Sequence, residues 1–240
     1  NAFFQTGLKG NIDEAVINHI NEHGLSELSE KYTKIDEIPF DFARRRLSVI
    51  VSDGQKTQMI TKGAVEEILG ISTMVDYQGN VSPITNAIKE NIKKITKDLN
   101  KQGLRVVAVC QKNNLEKTSE FTVSDEKNMV LIGFIGFLDP PKESAKSSIE
   151  KLNKNGIRVI VLTGDNVEVT KCICDKVGIK SPQIVIGSQI DKLQDIAVKR
   201  LLKKTNIFAK LSPIQKARIV RLLRNTGNVV GYMGDGINDS

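Results

Sequence analysis

Ile157-Arg-Val-Ile-Val-Leu-Thr-Gly-Asp-Asn166 is the stretch whose reading decides the fold. Its first six residues are a nearly unbroken, β-branched apolar run, too short for a core helix and suited to a strand buried on both faces. The next four, Thr163-Gly164-Asp165-Asn166, are turn formers standing directly before an amphipathic stretch near 167–177. Outward from this point the alternation recurs. Apolar strands at Val130–Leu138, Ile184–Ile186, Ile207–Ala209 and Val229–Met233 interleave with helical patterns near 143–154, 189–203 and 213–225. Repeated strand–helix–strand units predict parallel pairing with helices on both faces, which is a doubly wound α/β domain. Ligands bind such sheets beyond the carboxyl ends of the strands, so the loops there should carry the chemistry.

The preceding sequence has a different rhythm. Ile12, Ala15, Val16 and Ile20 recur at helical spacing from Asn11 to about Glu22, and Gly24 supplies the stop. After a polar stretch, Leu47–Ser52 and Thr57–Thr61 flank Asp53-Gly54, a β-hairpin signal. A short helix from Val65 to Leu69, a loop or small hairpin over 76–83, a charged helix from Ile84 to Gln102 and a buried strand from Leu104 to Cys110 complete an α+β pattern. A polar stretch between Asp125 and Met129 marks the expected boundary, giving domains 1–128 and 129–240.

With 40% apolar and 26% charged residues, the 240-residue chain is neither disordered nor a disulfide scaffold. Its longest uncharged apolar run, Met129–Leu138, falls well short of the roughly 20 residues of a membrane helix, so no direct membrane insertion is expected. Both ends read as cut. The net charge of +7 is unevenly placed: residues 1–130 hold 17 basic and 18 acidic side chains, residues 131–240 hold 18 and 10. The lysines lack aromatic interleaving and no nucleic-acid motif is legible, so no nucleic-acid partner is expected. Cys110, Cys172 and Cys174 read as free thiols in a reducing compartment. His19-Ile-Asn-Glu-His23 matches the zinc-ligating pattern HxxEH, but Gly24 follows directly and three fixed letters recur by chance, so exposed helix histidines are expected instead.

Three loops carry chemistry. Thr163, Gly164 and Asp165 combine a hydroxyl, close backbone access and free helix-terminal amides into a phosphate cradle, although Asp165 reads equally as a helix cap. Asp235, Asn238 and Asp239, in Gly234-Asp-Gly-Ile-Asn-Asp239, offer the oxygen ligands that a hard cation such as Mg²⁺ prefers. Lys216, in the first turn of helix 213–225, can present a point charge to a phosphoryl group. Together they indicate Mg²⁺-assisted phosphoryl transfer. No strand in 1–240 ends in a DxxGT or DxDx loop that would supply a nucleophilic aspartate.

Asp235-Gly-Ile-Asn-Asp239, Thr163-Gly-Asp165, Asp139-Pro-Pro-Lys142 and Lys62-Gly-Ala64 resemble ordered motifs of the P-type ATPases. Asn1-Ala-Phe-Phe-Gln-Thr-Gly-Leu-Lys-Gly10 is most similar to the bacterial magnesium-importing branch. The resemblance implies an α+β nucleotide-binding domain with an antiparallel sheet, followed by part of a haloacid-dehalogenase-like phosphorylation domain, both on the cytoplasmic side of a cation pump in the cell membrane. By the same resemblance Phe40 stacks on adenine, Lys62 and Gly63 line its pocket, Arg45 stands near the phosphates, and Asp13 or Glu14 supplies an acidic contact. Arg105 holds nucleotide phosphates, Thr163, Gly164 and Asp165 meet the γ-phosphate, Lys216 meets phosphoryl oxygens, and Asp235 ligates Mg²⁺ with support from Asn238 and Asp239. Lys210 stands where an Arg is usual. ATP is then the substrate, the phosphorylated aspartate lies upstream of Asn1, and the actuator domain and transmembrane helices are partners in the same polypeptide. A stand-alone haloacid-dehalogenase-like phosphatase with a cap domain is the competing enzyme reading.

Overall fold

The computed structural model describes residues 1–6, 11–24, 30–115, 120–181 and 183–234; Asp235, Asn238 and Asp239 lie outside the described residues. The chain divides into two compact units, Asn1–Thr96 with Val106–Phe137, and Lys97–Arg105 with Leu138–Ser240.

In chain order the first elements are α1 (Asn11–Glu22), β1 (Thr33–Asp41), β2 (Arg46–Ser52), β3 (Thr57–Gly63), α2 (Val65–Ile71), β4 (Ser72–Tyr77), β5 (Asn80–Pro83), α3 (Asn86–Lys101), β6 (Leu104–Lys112) and β7 (Met129–Leu138). The strands form one mixed sheet in the order β1-β2-β3-β6-β7-β4-β5. β2 is buried on both faces. Leu47, Val49 and Val51 pack with Phe4, Tyr32 and Ile60 on one side. Ile50 joins Met59, Ile68, Ile92, Cys110 and Met129 on the other. The expected hairpin is present, with Ser52 opposite Thr57 and Gly54 at φ +88°. β1 was not legible as a strand because it carries Asp36, Glu37 and Pro39; it lies at the sheet edge, where a missing N–H costs no ladder bond.

One expectation about organisation is corrected. Val130–Leu138 is a strand, but it pairs in parallel with β4 inside the first sheet, with Ser72 opposite Met129 and Val75 opposite Leu131. Met129 and Leu131 therefore seal the first core instead of opening the second domain. A short apolar run reads as a strand in either kind of sheet and does not say which one it joins; here only its first residues are buried, and Ile132, Ile135 and Leu138 are exposed.

The second unit contains α4 (Ser144–Lys154), β8 (Val161–Leu162), α5 (Val167–Lys176), β9 (Val185–Ile186), α6 (Gly187–Asp191), α7 (Asp195–Lys204), β10 (Ile207–Ala209) and α8 (Pro213–Arg224). Its sheet is parallel, in the order β8-β10-β9. Ile207 packs with Cys174, Val177 and Ile149 on one face. Phe208 packs with Ile190, Val198, Leu202 and Ile219 on the other. Helices thus cover both faces, as expected. Two expected strands are reduced. Pairing begins only at Val161, opposite Ile207, so Ile157–Ile160 have no ladder partner there. Val229–Met233 are not a strand, and Val229 and Met233 are almost wholly exposed, because no described neighbour offers ladder bonds. No described helix is long and apolar enough to cross a membrane.

Candidate functional site

The first cluster forms at the sheet end where β1 and β3 finish and β2 begins. Asp41 faces Arg46 across β1–β2, and Arg46 faces Gly63 across β2–β3. This register gathers Phe40, Arg45, Lys62 and Gly63 at one sheet end. Phe40 is 51% exposed and Phe42 54%, and their rings meet edge to face at 5.2 Å, leaving aromatic surface open to solvent. The Lys62 ammonium is bonded to the Asp13 carboxylate and donates to Gln5 Oε1 at 2.6 Å. Gln5 Nε2 in turn donates to Asp13 Oδ2 at 2.6 Å. Asp13 is buried and Glu14 exposed, so Asp13 is the acid brought to Lys62 and Glu14 is not. Gly63 is required by the chain itself: a Cβ there would stand 2.6 Å from Arg46 Cβ and 2.7 Å from the Arg45 carbonyl oxygen.

The turn holding Arg45 is pinned by a residue that sequence reading passed over. Glu126 has a fully buried side chain and accepts two bonds from Arg44 Nη1 at 2.9 and 2.8 Å. It also accepts from Arg46 Nε and from Ser48 Oγ, each at 2.7 Å. Arg44 Nη2 further donates to the Pro39 carbonyl at 2.6 Å. Of three consecutive arginines, the outer two are committed to Glu126. Arg45 between them is exposed, at φ +51°, and its side chain makes no ion pair among the described residues. The only sequence signal for Glu126 was a carboxylate in a polar stretch, which reads as linker.

The second cluster follows β8. The Thr163 N–H donates to the Phe208 carbonyl at 3.0 Å, and the Leu211 N–H donates to the Thr163 carbonyl at 3.0 Å. The Lys210 N–H donates to the Asp165 carbonyl at 2.7 Å, so the Thr163–Asp165 loop and the entry to α8 are locked together. Asn166, not Asp165, caps α5, its Oδ1 accepting from the Val169 N–H at 2.9 Å. The Asp165 carboxylate is therefore available for other work. It accepts from Thr163 Oγ1 at 3.1 Å and from Arg105 Nη2 at 3.0 Å. Arg105 also reaches Asp139 at 3.1 Å, while its Nε is buried without a partner among the described residues. A Cβ on Gly164 would meet only the Leu211 carbonyl, at 3.5 Å, so the surrounding protein does not demand glycine there. Lys216 lies in the first turn of α8, which Ser212 caps by accepting from the Gln215 N–H at 3.3 Å. It lines a groove of about 440 Å³ with Pro213, Ala217, Arg224, Val230 and Tyr232, and Thr163 and Asp165 do not line it.

All three cysteines are free. Burial pushes the Cys110 thiol up to about 12 and the Cys174 thiol up to about 11, so neither ionises near neutrality.

Against known proteins, the family model described as "P-type ATPase, cytoplasmic domain N" matches residues 5–144. The Magnesium-transporting ATPase, P-type 1, of Salmonella typhimurium is 44% identical over 241 residues, covering 100% of this chain and 27% of its own length. The protein of the same name from Escherichia coli is 43% identical with the same coverage. Calcium-transporting ATPase 1 of Bacillus cereus is 31% identical over 215 residues, covering 89% of this chain and 24% of its own. The chain spans about a quarter of the length of these curated relatives. A family match over more than half of the chain, on a mixed sheet followed by a small parallel one, shows that the chain belongs to the P-type ATPase family.

Proposed function

We propose that this chain is the ATP-binding and phosphoryl-transfer region of an ATP-driven cation pump, with magnesium as the transported ion. The first unit is the nucleotide-binding domain and the second is part of the phosphorylation domain. The pump forms an aspartyl phosphate on a carboxylate outside residues 1–240. Magnesium rests on the relatives named for its transport, which are more similar to this chain than the calcium-transporting one.

The observation that carries the nucleotide reading is the sheet end at Phe40. An exposed aromatic pair offers a stacking face for adenine, and Lys62, held by Asp13 and Gln5, fixes one wall of the pocket. Arg45 supplies a positive charge that Glu126 leaves uncommitted because it neutralises Arg44 and Arg46 instead. In the second unit the Thr163 hydroxyl and the Gly164 backbone would bind the terminal phosphate. Arg105, now shared by Asp139 and Asp165 with its Nε unpartnered among the described residues, would turn a donor to phosphate oxygens. Lys216 would add a point charge. Asp235, Asn238 and Asp239 are proposed as Mg²⁺ ligands on donor chemistry alone, and Mg²⁺ would neutralise phosphate charge.

ATP titration followed by amide NMR tests this directly. Weak binding is expected, with shifts centred on Phe40 and Lys62 and no hydrolysis. Loss of base stacking is worth about 1–3 kcal/mol, so Phe40→Ala should weaken binding roughly tenfold. An absent response to ATP, or Phe40→Ala and Lys62→Ala variants that bind like the wild type, would refute it.

A further inference from the structure

The end of α1 holds a side-chain cluster that the proposed function does not use. His19, Glu22 and His23 are all exposed, and their ligand atoms lie within 4.8 Å of one another. The two imidazoles stack with centroids 4.2 Å apart. From these contacts we infer that the last turn of α1 is a surface site for one transition-metal dication of the Zn²⁺ class, held by His19, Glu22 and His23.

The protonation pattern supports ligation. His23 Nδ1 lies 2.8 Å from the His19 carbonyl oxygen, and a carbonyl can only accept, so the proton sits on Nδ1. In the neutral ring with its proton on Nδ1, Nε2 is the atom that carries the lone pair, the arrangement in which a ligating histidine donates its other N–H to a carbonyl or carboxylate. Zn–N bonds of about 2.0–2.1 Å in a tetrahedron place ligand atoms about 3.3 Å apart. Exposed side chains can close that gap by rotamer adjustment without disturbing a core.

Gly24, which argues against the motif on sequence alone, turns out to be compatible with it. Gly24 takes φ +67° and ends the helix, yet the His23 N–H still donates to the His19 carbonyl at 3.2 Å. The i,i+4 relation of the histidines therefore survives to the last turn. A helix C-terminus also carries the negative end of the backbone dipole, which favours a bound cation.

Donor chemistry sets the metal. Two imidazoles and one carboxylate suit Zn²⁺, Ni²⁺ or Cu²⁺, whereas Mg²⁺ takes an all-oxygen octahedral shell. The site therefore discriminates against the cation proposed as the pump's cargo. No protease chemistry follows, since Glu22 serves as a ligand and the cluster lies open to solvent. Its consequence is structural: the metal staples the last turn of the helix whose first turn carries Asp13, the partner of Lys62.

The test is calorimetric titration of the tag-free 240-residue chain with ZnCl₂ and separately with MgCl₂, paired with NMR of the histidine rings. One Zn²⁺ per chain is expected, with shifts of the His19 and His23 ring signals, slower amide exchange along α1 and no matching response to Mg²⁺. His19→Asn and His23→Asn should each weaken binding about tenfold or more, whereas a Cys172→Ser, Cys174→Ser double variant should bind as before. The proposal is overturned by absence of binding, by His variants that bind unchanged, or by binding lost with the cysteines. None of these outcomes bears on ATP binding, so the two readings stand or fall separately.

Discussion

Glu126 meets Arg44, Arg46 and Ser48 while its own side chain has no access to solvent. Removing one member of a buried ionic cluster leaves the others desolvated, a cost of about 3–5 kcal/mol for fully buried pairs. The two arginine side chains here retain some exposure, 18% and 13%, which reduces the penalty. Glu126→Gln should therefore lower stability by about 2–4 kcal/mol in urea denaturation. Arg44→Ala should cost less, because Glu126 keeps Arg46 and Ser48. Equal losses from the two substitutions would show that the carboxylate is not the hub. The same change should loosen the turn bearing Arg45, so any ATP affinity should fall with it, although Glu126 touches no proposed ligand atom. Sequence reading could not reach this residue. Its partner Arg44 lies 82 positions away, and nothing local in Val123-Ser-Asp-Glu-Lys127 marks burial.

At the level of elements, the capping of α5 separates two roles that the letters Thr163-Gly-Asp-Asn166 leave mixed. Asn166 Oδ1 takes the Val169 N–H, so Asn166→Ala should cost about 1 kcal/mol, in the usual range for a lost N-cap. Asp165→Ala should spare the cap and instead remove one carboxylate partner of Arg105, which keeps Asp139, and the acceptor of the Thr163 hydroxyl. Thermal denaturation of the two variants decides between these assignments; a larger loss of helix stability from Asp165→Ala would reverse them. Turns and helices were legible because their signals are local: Gly54 and Gly79 take positive φ where the hairpins need it, and α1 stops before Gly24. Strand membership was not, because pairing is decided by distant partners. β7 shows this, since its apolar run fits a second-domain strand yet pairs with β4. β1 shows the converse, since an edge strand tolerates acids and Pro39 that argue against any strand in the middle of a sheet. Thr163, Gly164 and Asp165 stand out by chemistry and position alone, whereas Phe40 and Arg45 are singled out only by resemblance to a family. An exposed Phe and one arginine among three carry no signal of their own.

At the scale of the whole molecule, each unit has buried apolar clusters among its described residues. Ile50, Met59, Ile68 and Met129 belong to the first, and Val198, Phe208, Ile219 and Leu222 to the second. Each unit thus has its own core, the condition under which a chain departs from two-state unfolding. Their cores also differ in kind. Among the described residues the first is built on a seven-stranded sheet, while the second has three strands of two or three residues each, wrapped by helices. Short strands supply few ladder bonds, and Val229 and Met233 remain in solvent, so the second unit should be the less stable. Differential scanning calorimetry should accordingly give a calorimetric enthalpy larger than the van't Hoff enthalpy, with the lower transition belonging to the second unit. Substitutions locate the transitions: Ile219→Ala should lower only the first to melt, and Ile50→Ala only the second, each by the about 2–5 kcal/mol of a core truncation. A single transition with equal enthalpies, moved alike by both substitutions, would show that the chain unfolds as one cooperative body.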